Sequence, residues 1–167
     1  AMHGREYARL AEAIREVEAK LMAWHRGNQD SGRLAEVPGI GPVGAARLAM
    51  KKADAMACRS GRFFSAWIGL TAKNHSTAGK HRLGGITRAG ESVLRSVLVV
   101  GAMAVIRQAQ RNPDKASPWL RALLQRKSKK QAAVALANKN ARIAWKMMMT
   151  GERYSPTHAS QALARAA

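Results

Sequence analysis

Leu34-Ala35-Glu36-Val37-Pro38-Gly39-Ile40-Gly41-Pro42-Val43-Gly44-Ala45-Ala46-Arg47-Leu48-Ala49 is the stretch that decides the fold. It reads as a short helix, a tight turn at Pro38-Gly39-Ile40-Gly41, and a second helix opening on Pro42. Proline suits a first helical turn because its missing N–H is one the helix leaves unpaired anyway. Gly39 and Gly41 permit backbone angles that other residues resist. Lacking side chains, they also let main-chain N–H groups approach a phosphate at a helix N-terminus. Ile40 points inward and ties the turn to the core, while Ala45, Ala46 and Leu48 supply the small and apolar positions of the second helix.

The pattern at residues 34–49 is similar to a helix-hairpin-helix motif, a reader of the phosphate backbone without sequence preference, with Gly39, Ile40 and Gly41 as its candidate nucleic-acid-binding residues. Val43 and Gly44 stand where DNA-binding members often carry Lys or another polar residue. A turn that merely joins two packed helices therefore stays open.

Outward from this motif the chain reads as helix nearly everywhere, so the fold class is all-α. From Tyr7 the larger apolar residues fall at Tyr7, Leu10, Ile14, Val17, Leu21 and Trp24, steps of three and four that make a single seam. Residues 3–28 are expected as a long amphipathic, coiled-coil-like helix that either pairs with a second copy, giving a dimer or tetramer, or lies back on the domain. The domain itself is placed at residues 33–154. Val93, Leu94, Val97, Leu98, Val100, Gly101, Ala104 and Val105 form its central helix, apolar almost all round. Asn112-Pro113-Asp114 breaks that helix, and Ser117-Pro118-Trp119 opens a short one ending near Gln125. Arg126-Lys127-Ser128-Lys129-Lys130 leads into the last long helix and is either a solvated face or a backbone contact. Met147-Met148-Met149 fills core gaps or an interface. The Ala-rich tail, residues 155–167, is expected to be disordered.

Charge narrows the partners. The 167 residues hold 29 Lys and Arg against 10 Asp and Glu, a formal charge of +19. A hydrophobic content of 47% excludes a disordered basic tail. A folded domain this basic points to a polyanion, since each cation set on a phosphate releases a condensed counterion. Nucleic acid comes first and an anionic membrane second, but no uninterrupted apolar run reaches the roughly 18 residues that a span needs. The longest, residues 97–106, stops at Arg107. Cys58 is alone, which excludes an intramolecular disulfide and suggests neither a thiolate zinc site nor secretion. Ala1-Met2 reads as a remnant before an internal start rather than a targeting signal. Glu6, Glu12, Glu16 and Glu18 lie on the first helix, and the ten acids offer no cluster that would hold a metal ion.

Residues 71–91 are polar, rich in Gly, Ser and Thr, and expected to be a long loop without regular structure, which inside a helical domain signals function or disorder. Lys73, Lys80, Arg82 and Arg88 face a single acid, Glu91. Hydroxyls, amides, cations and glycines together suit a nucleic-acid backbone. Thr87 is the expected cap of the next helix, in which Glu91 and Arg95 stand four apart. A serine such as Ser76 is a poor nucleophile without an activating base, metal or positive cluster, so on residues alone it reads as a phosphate ligand before a nucleophile. His75 is open between phosphate donor and base. Arg82, Arg88 and Arg95 are open between stabilising a phosphoryl transition state, contacting the backbone, and lying in solvent.

Gly69-Leu70, then His75-Ser76-Thr77-Ala78-Gly79-Lys80, then Arg82-Leu83-Gly84-Gly85-Ile86-Thr87-Arg88-Ala89-Gly90, then Leu94-Arg95, resembles the C-terminal domain of the insertion-sequence DEDD transposases related to the Piv DNA invertase. These include the RNA-guided bridge recombinases. The likeness spans residues 37–154, including the late helix from Ala132 to the Trp145-Lys146 pair. It implies DNA transposition in which Ser76 attacks a phosphodiester and holds the strand end, and it places Lys73, His75, Thr77, Lys80, Arg82, Arg88 and Arg95 around the nucleic acid. Thr77 and Ala78 depart mildly from the second serine and the glycine of many relatives. The resemblance further implies a RuvC-like N-terminal domain, outside this chain, whose carboxylates bind Mg²⁺. It also implies homo-oligomers, DNA and in many members a guide RNA as partners, and a location in the bacterial cytoplasm on DNA. The fragment alone is then expected to be inactive. A non-catalytic helix-hairpin-helix module that binds DNA or RNA is the alternative, and a structural RNA-binding protein of ribosomal type leaves the Ser76 segment without a purpose.

Overall fold

The computed structural model describes residues 2–76 and 82–156, with Met2 described by its backbone alone. Thr77 and Lys80 of the candidate set, together with most of the expected tail, lie outside the described residues.

α1 (Met2–Gly27) is one continuous helix. Its seam has no cover over most of its length: Tyr7, Leu10, Ile14 and Val17 are exposed, Ile14 by 58%. The last turn alone is anchored by a side-chain bond, where His25 Nδ1 lies 2.7 Å from the Oγ of the buried Ser31. Of the two outcomes open for this helix, lying back on the domain is not the one observed.

α2 (Gln29–Leu34) starts at Asn28, whose side chain accepts from the Ser31 N–H at 2.8 Å. The Ile40 N–H donates to Val37 O at 2.9 Å to close the turn, and α3 (Pro42–Met50) follows with Pro42 in its first turn. Two short helices, α4 (Lys52–Met56) and α5 (Gly61–Trp67), lead to the polar segment. That segment is not structureless. β1 (Ala72–Asn74) and β2 (Leu83–Ile86) pair antiparallel, Ala72 opposite Ile86 and Asn74 opposite Leu83, with a register irregularity between them.

The centre of the body is α6 (Ser92–Arg111) packed on α8 (Lys129–Thr150). Leu94, Leu98, Ala102 and Ile106 form the buried stripe of α6, and Ala133, Ala137, Ala141 and Ala144 that of α8. Small residues on α8 let the two axes approach closely. α6 also has the length and mean hydropathy of a membrane-crossing helix, although its uninterrupted apolar run is shorter than a span. Here its stripe lies in the core. α7 (Pro118–Arg126), reached through a single 3₁₀ turn at Pro113–Lys115, closes the far side. Met147 and Met148 are buried in the core, as their sequence position suggested.

α8 also acts as a spine for the connections. The Nδ2 amides of Asn140 and Asn138 donate to Pro38 O at 2.8 Å and Leu70 O at 3.2 Å, and Trp145 Nε1 donates to Ala55 O at 2.9 Å. The first two bonds satisfy carbonyls that loops leave without a helical partner, and the third adds a second donor to a carbonyl in the last turn of α4, which also accepts from the Cys58 N–H. The turn at 38–41 and the start of the β-hairpin are thus fastened to one rigid element.

Candidate nucleic-acid interface

The four residues of the turn have unlike roles. Ile40 is buried, so it anchors the turn and offers nothing to a ligand. Gly39, at φ +91°, lies where a Cβ would come within 3.1–3.2 Å of Val105, Asn140 and Gly101. From the other side, a Cβ on Gly101 would sit 1.9 Å from Gly39 O. Backbone therefore packs directly on backbone between the turn and α6. Gly41 is exposed, with open space where a Cβ would be, and it caps α3 without any side-chain bond. Of the three, Gly41 alone is placed to let an anion reach the first-turn amides.

The β-hairpin carries the remaining candidates. Ser76 is half-buried at its end, and its Oγ accepts from the Arg82 N–H at 3.1 Å. The Ser76 N–H donates to Asn74 Oδ1 at 2.9 Å, and the His75 N–H donates to Arg82 O at 2.8 Å. Among the described residues no imidazole or carboxylate is hydrogen-bonded to the Ser76 hydroxyl. The His75 ring lies against the backbone of Gly84, where a Cβ would meet it at 3.0 Å. Lys73, Arg82 and Arg88 are exposed, and among the described residues none of them pairs with a carboxylate. Arg88 has a positive φ of 57°, a strained conformation for a residue with a side chain.

Two expectations for the hairpin exit are corrected. Thr87 does not cap α6: its Oγ1 is buried without a partner, and its N–H closes the hairpin onto Thr71 O at 2.9 Å. The cap is Glu91, whose Oε2 accepts from the N–H groups of Val93 and Leu94 at 3.0 and 3.3 Å. Its other oxygen accepts from Arg47 Nε on α3 at 3.0 Å, so Glu91 pairs with Arg47 and not with Arg95. Arg95 is turned inward instead, its Nη1 donating to Ile68 O at 2.8 Å and Ala89 O at 2.9 Å. A guanidinium nitrogen held by two backbone carbonyls ties together the two arms of the hairpin. Gly69 and Gly90 make that closure possible, since a Cβ would fall 2.2 Å from Ala89 O and 1.8 Å from Trp67 O respectively. Sequence reading missed the role of Asn138, Asn140 and Arg95 as fasteners, because a polar side chain bound to a distant carbonyl leaves no periodic signal.

The Arg47 hydrogen bond, followed by the α6 amides, holds the Glu91 carboxyl below the ordinary carboxylate range against the opposing effect of burial. A depressed carboxyl stabilises the fold above its unfolded value of about 4.3, and this contribution is lost as pH falls through the lower folded value. Glu91→Gln is expected to cost about 1–2 kcal/mol at neutral pH and to flatten the acid-side decline. Denaturation midpoints measured from pH 7 down to pH 3 check both expectations.

The arrangement is a strongly basic surface around one hydroxyl, with its nearby acid already neutralised by Arg47. Among the described residues no group of three His, Cys, Asp or Glu stands together as a metal set. Comparison with known proteins agrees with the polyanion reading. The family model described as "Transposase IS116/IS110/IS902 family" matches residues 31–125. A chain of Sinorhizobium fredii with the transposase name y4pF/y4sB is 57% identical over 155 residues, covering 92% of this chain and 40% of its own length. A Pseudomonas aeruginosa chain named "Probable family 20 transposase" is 43% identical, covering 90% and 45%. The Coxiella burnetii "Transposase for insertion sequence element IS1111A" is 38% identical, covering 86% and 39%. This chain therefore spans less than half the length of these relatives, and over that span it belongs to the IS116/IS110/IS902 transposase family.

Proposed function

We propose that this chain is the serine-bearing portion of a DNA transposase, in which the Ser76 hydroxyl attacks a DNA phosphodiester. The observation that carries this reading is the setting of Ser76, an oriented hydroxyl at the end of an exposed hairpin among unpaired cations. In the reaction an Oγ–P bond forms, the P–O bond to the leaving strand end breaks, and the serine proton passes to an acceptor. Arg82 and Arg88 neutralise charge on the non-bridging oxygens, with Lys73 and His75 on the flanking backbone. Gly41 admits a further phosphate to the start of α3. Since no base among the described residues reaches the hydroxyl, the acceptor is either a residue outside them, such as His81, or a group from another part of the full-length protein.

Magnesium does not fit the described residues, which lack a carboxylate set, so no step here runs through it. An N-terminal RuvC-like domain would hold it, and a guide RNA would share the same basic surface with DNA. In the test, full-length protein is incubated with DNA bearing the element's ends, denatured, and digested for peptide mapping. A phosphoester on Ser76 is expected, and an adduct on a different residue removes the assignment. The chain alone is expected to bind supercoiled DNA without cutting it in the presence of Mg²⁺; clean nicking would overturn the division of the site between two domains.

The uncovered seam of α1 is proposed as the contact with a second copy. Sedimentation should show an associating chain, and the double substitution Ile14→Asp with Val17→Asp should give a monomer. Because both side chains are exposed, the melting of the body should stay unchanged.

A further inference from the structure

A groove of about 800 Å³ runs between β2 and α8. Leu83, Ile86, Leu70 and Val134 line its apolar part, and Lys130, Lys139 and Arg142 bring positive charge to it. Among the described residues no carboxylate lines it. Lys139 is half-buried, its ammonium held 4.3 Å over the Trp119 ring, and burial lowers its pKa. Burial is also the first cause lowering the pKa of Arg142, with Arg62 nearby adding to it. Desolvated cations facing an apolar floor are costly unless an anion completes them. The volume lies within the range of sites that enclose a ligand.

A phosphate alone would leave the apolar floor unused, and a duplex buries its bases within its own stack. An unpaired strand offers both phosphates and exposed base faces, the combination that single-strand channels accommodate. One wall, β2, begins directly after Arg82, the residue whose N–H holds Ser76 Oγ, so the groove leads to the end of the hairpin.

We propose that the groove between β2 and α8 holds an unpaired segment of the nucleic-acid strand adjoining the Ser76 hairpin, with phosphates on Lys130, Lys139 and Arg142 and a base against Leu83, Ile86 and Val134. This rests on the nucleic-acid reading above but not on Ser76 being the nucleophile. The common chemistry is a single-stranded phosphodiester, and DNA and RNA oligomers of equal length distinguish the two sources.

The test measures anisotropy of a labelled oligo-dT, its RNA counterpart and a duplex of the same length against the chain. The double substitution Lys139→Gln with Arg142→Gln should weaken single-strand binding about tenfold and reduce its salt slope by about 1.4, two cations at roughly 0.7 each. Duplex binding should change less than twofold. Lys139→Arg should retain single-strand binding. Equal losses for duplex and single strand, or no loss for either, overturn the proposal. Should the double variant fail to fold, photo-crosslinking of 5-iododeoxyuridine oligomers to the unaltered chain decides. Adducts within residues 83–86 and 119–142 support the groove, and adducts confined to other peptides reject it. The two readings fail separately: oligomer binding reads the groove and the mapped phosphoester reads Ser76, so a groove that fails leaves the nucleophile standing, and a nucleophile that fails leaves the groove.

Discussion

Ser76→Ala in the full-length protein is expected to abolish the covalent protein–DNA adduct and to lower strand exchange by a factor on the order of 10⁴, while DNA affinity changes less than twofold. The asymmetry follows from geometry. Among the described residues Ser76 Oγ makes one hydrogen bond, as acceptor from the Arg82 N–H, and Ser76 is not part of the buried core. Removing it leaves a single exposed amide that water satisfies, so the hairpin keeps its shape and the cations on it keep their places. The neighbouring hydroxyl of Thr77 makes the result sharper. A residual adduct in the Ser76→Ala protein that disappears in Thr77→Ala would move the nucleophile by one residue, and unchanged recombination in both would leave a binding module whose chemistry is done elsewhere.

Gly101→Ala is the second large effect, and its sign opposes helix propensity. In the middle of α6 an alanine is intrinsically favoured by about 1 kcal/mol. Here the added methyl would sit 1.9 Å from Gly39 O, and that carbonyl belongs to a turn whose Pro38 O is already fixed by Asn140. Neither partner is the flexible end of a side chain, so α6 or the turn must shift. The expected net loss is about 3 kcal/mol, the upper end of overpacking costs, read from chemical denaturation. Gly41→Ala is the control, with open space at its Cβ position, an expected stability change under about 0.5 kcal/mol, and an effect confined to DNA binding. A stabilised Gly101→Ala protein would mean that the turn is not seated on α6.

These cases also mark what the amino acids disclose by themselves. Helices were legible where periodicity is local. The seam from Tyr7 to Trp24, Pro42 and Ser117-Pro118 at helix starts, and the buried Ile40 could all be read from neighbours within a turn or two. The hairpin exit could not, because Thr87, Glu91 and Arg95 have their roles decided by residues far along the chain. Glu91 is four residues from Arg95, yet it pairs with Arg47 on α3, and Arg95 answers carbonyls of Ile68 and Ala89 that no spacing rule brings together. The short ladder between β1 and β2 was hidden for a related reason. Its strands are only three and four residues long, with two glycines in β2, and they form because their ends are held together, with little β propensity of their own. The candidate site was therefore legible as composition, a serine among cations, and illegible as geometry.

Holding both ends of the hairpin at Gly69, Gly90 and Arg95 separates two kinds of mutational burden. A two-stranded ribbon contributes little stability of its own, and β1 and β2 are almost wholly exposed. Substitutions beyond the clamp thus pass through to chemistry with hardly any toll on folding, whereas changes at the clamp are borne by the body. The hairpin behaves as an exchangeable cassette. Its sequence can be altered, or grafted from one relative to another, while α6 and α8 underneath continue to fold as before.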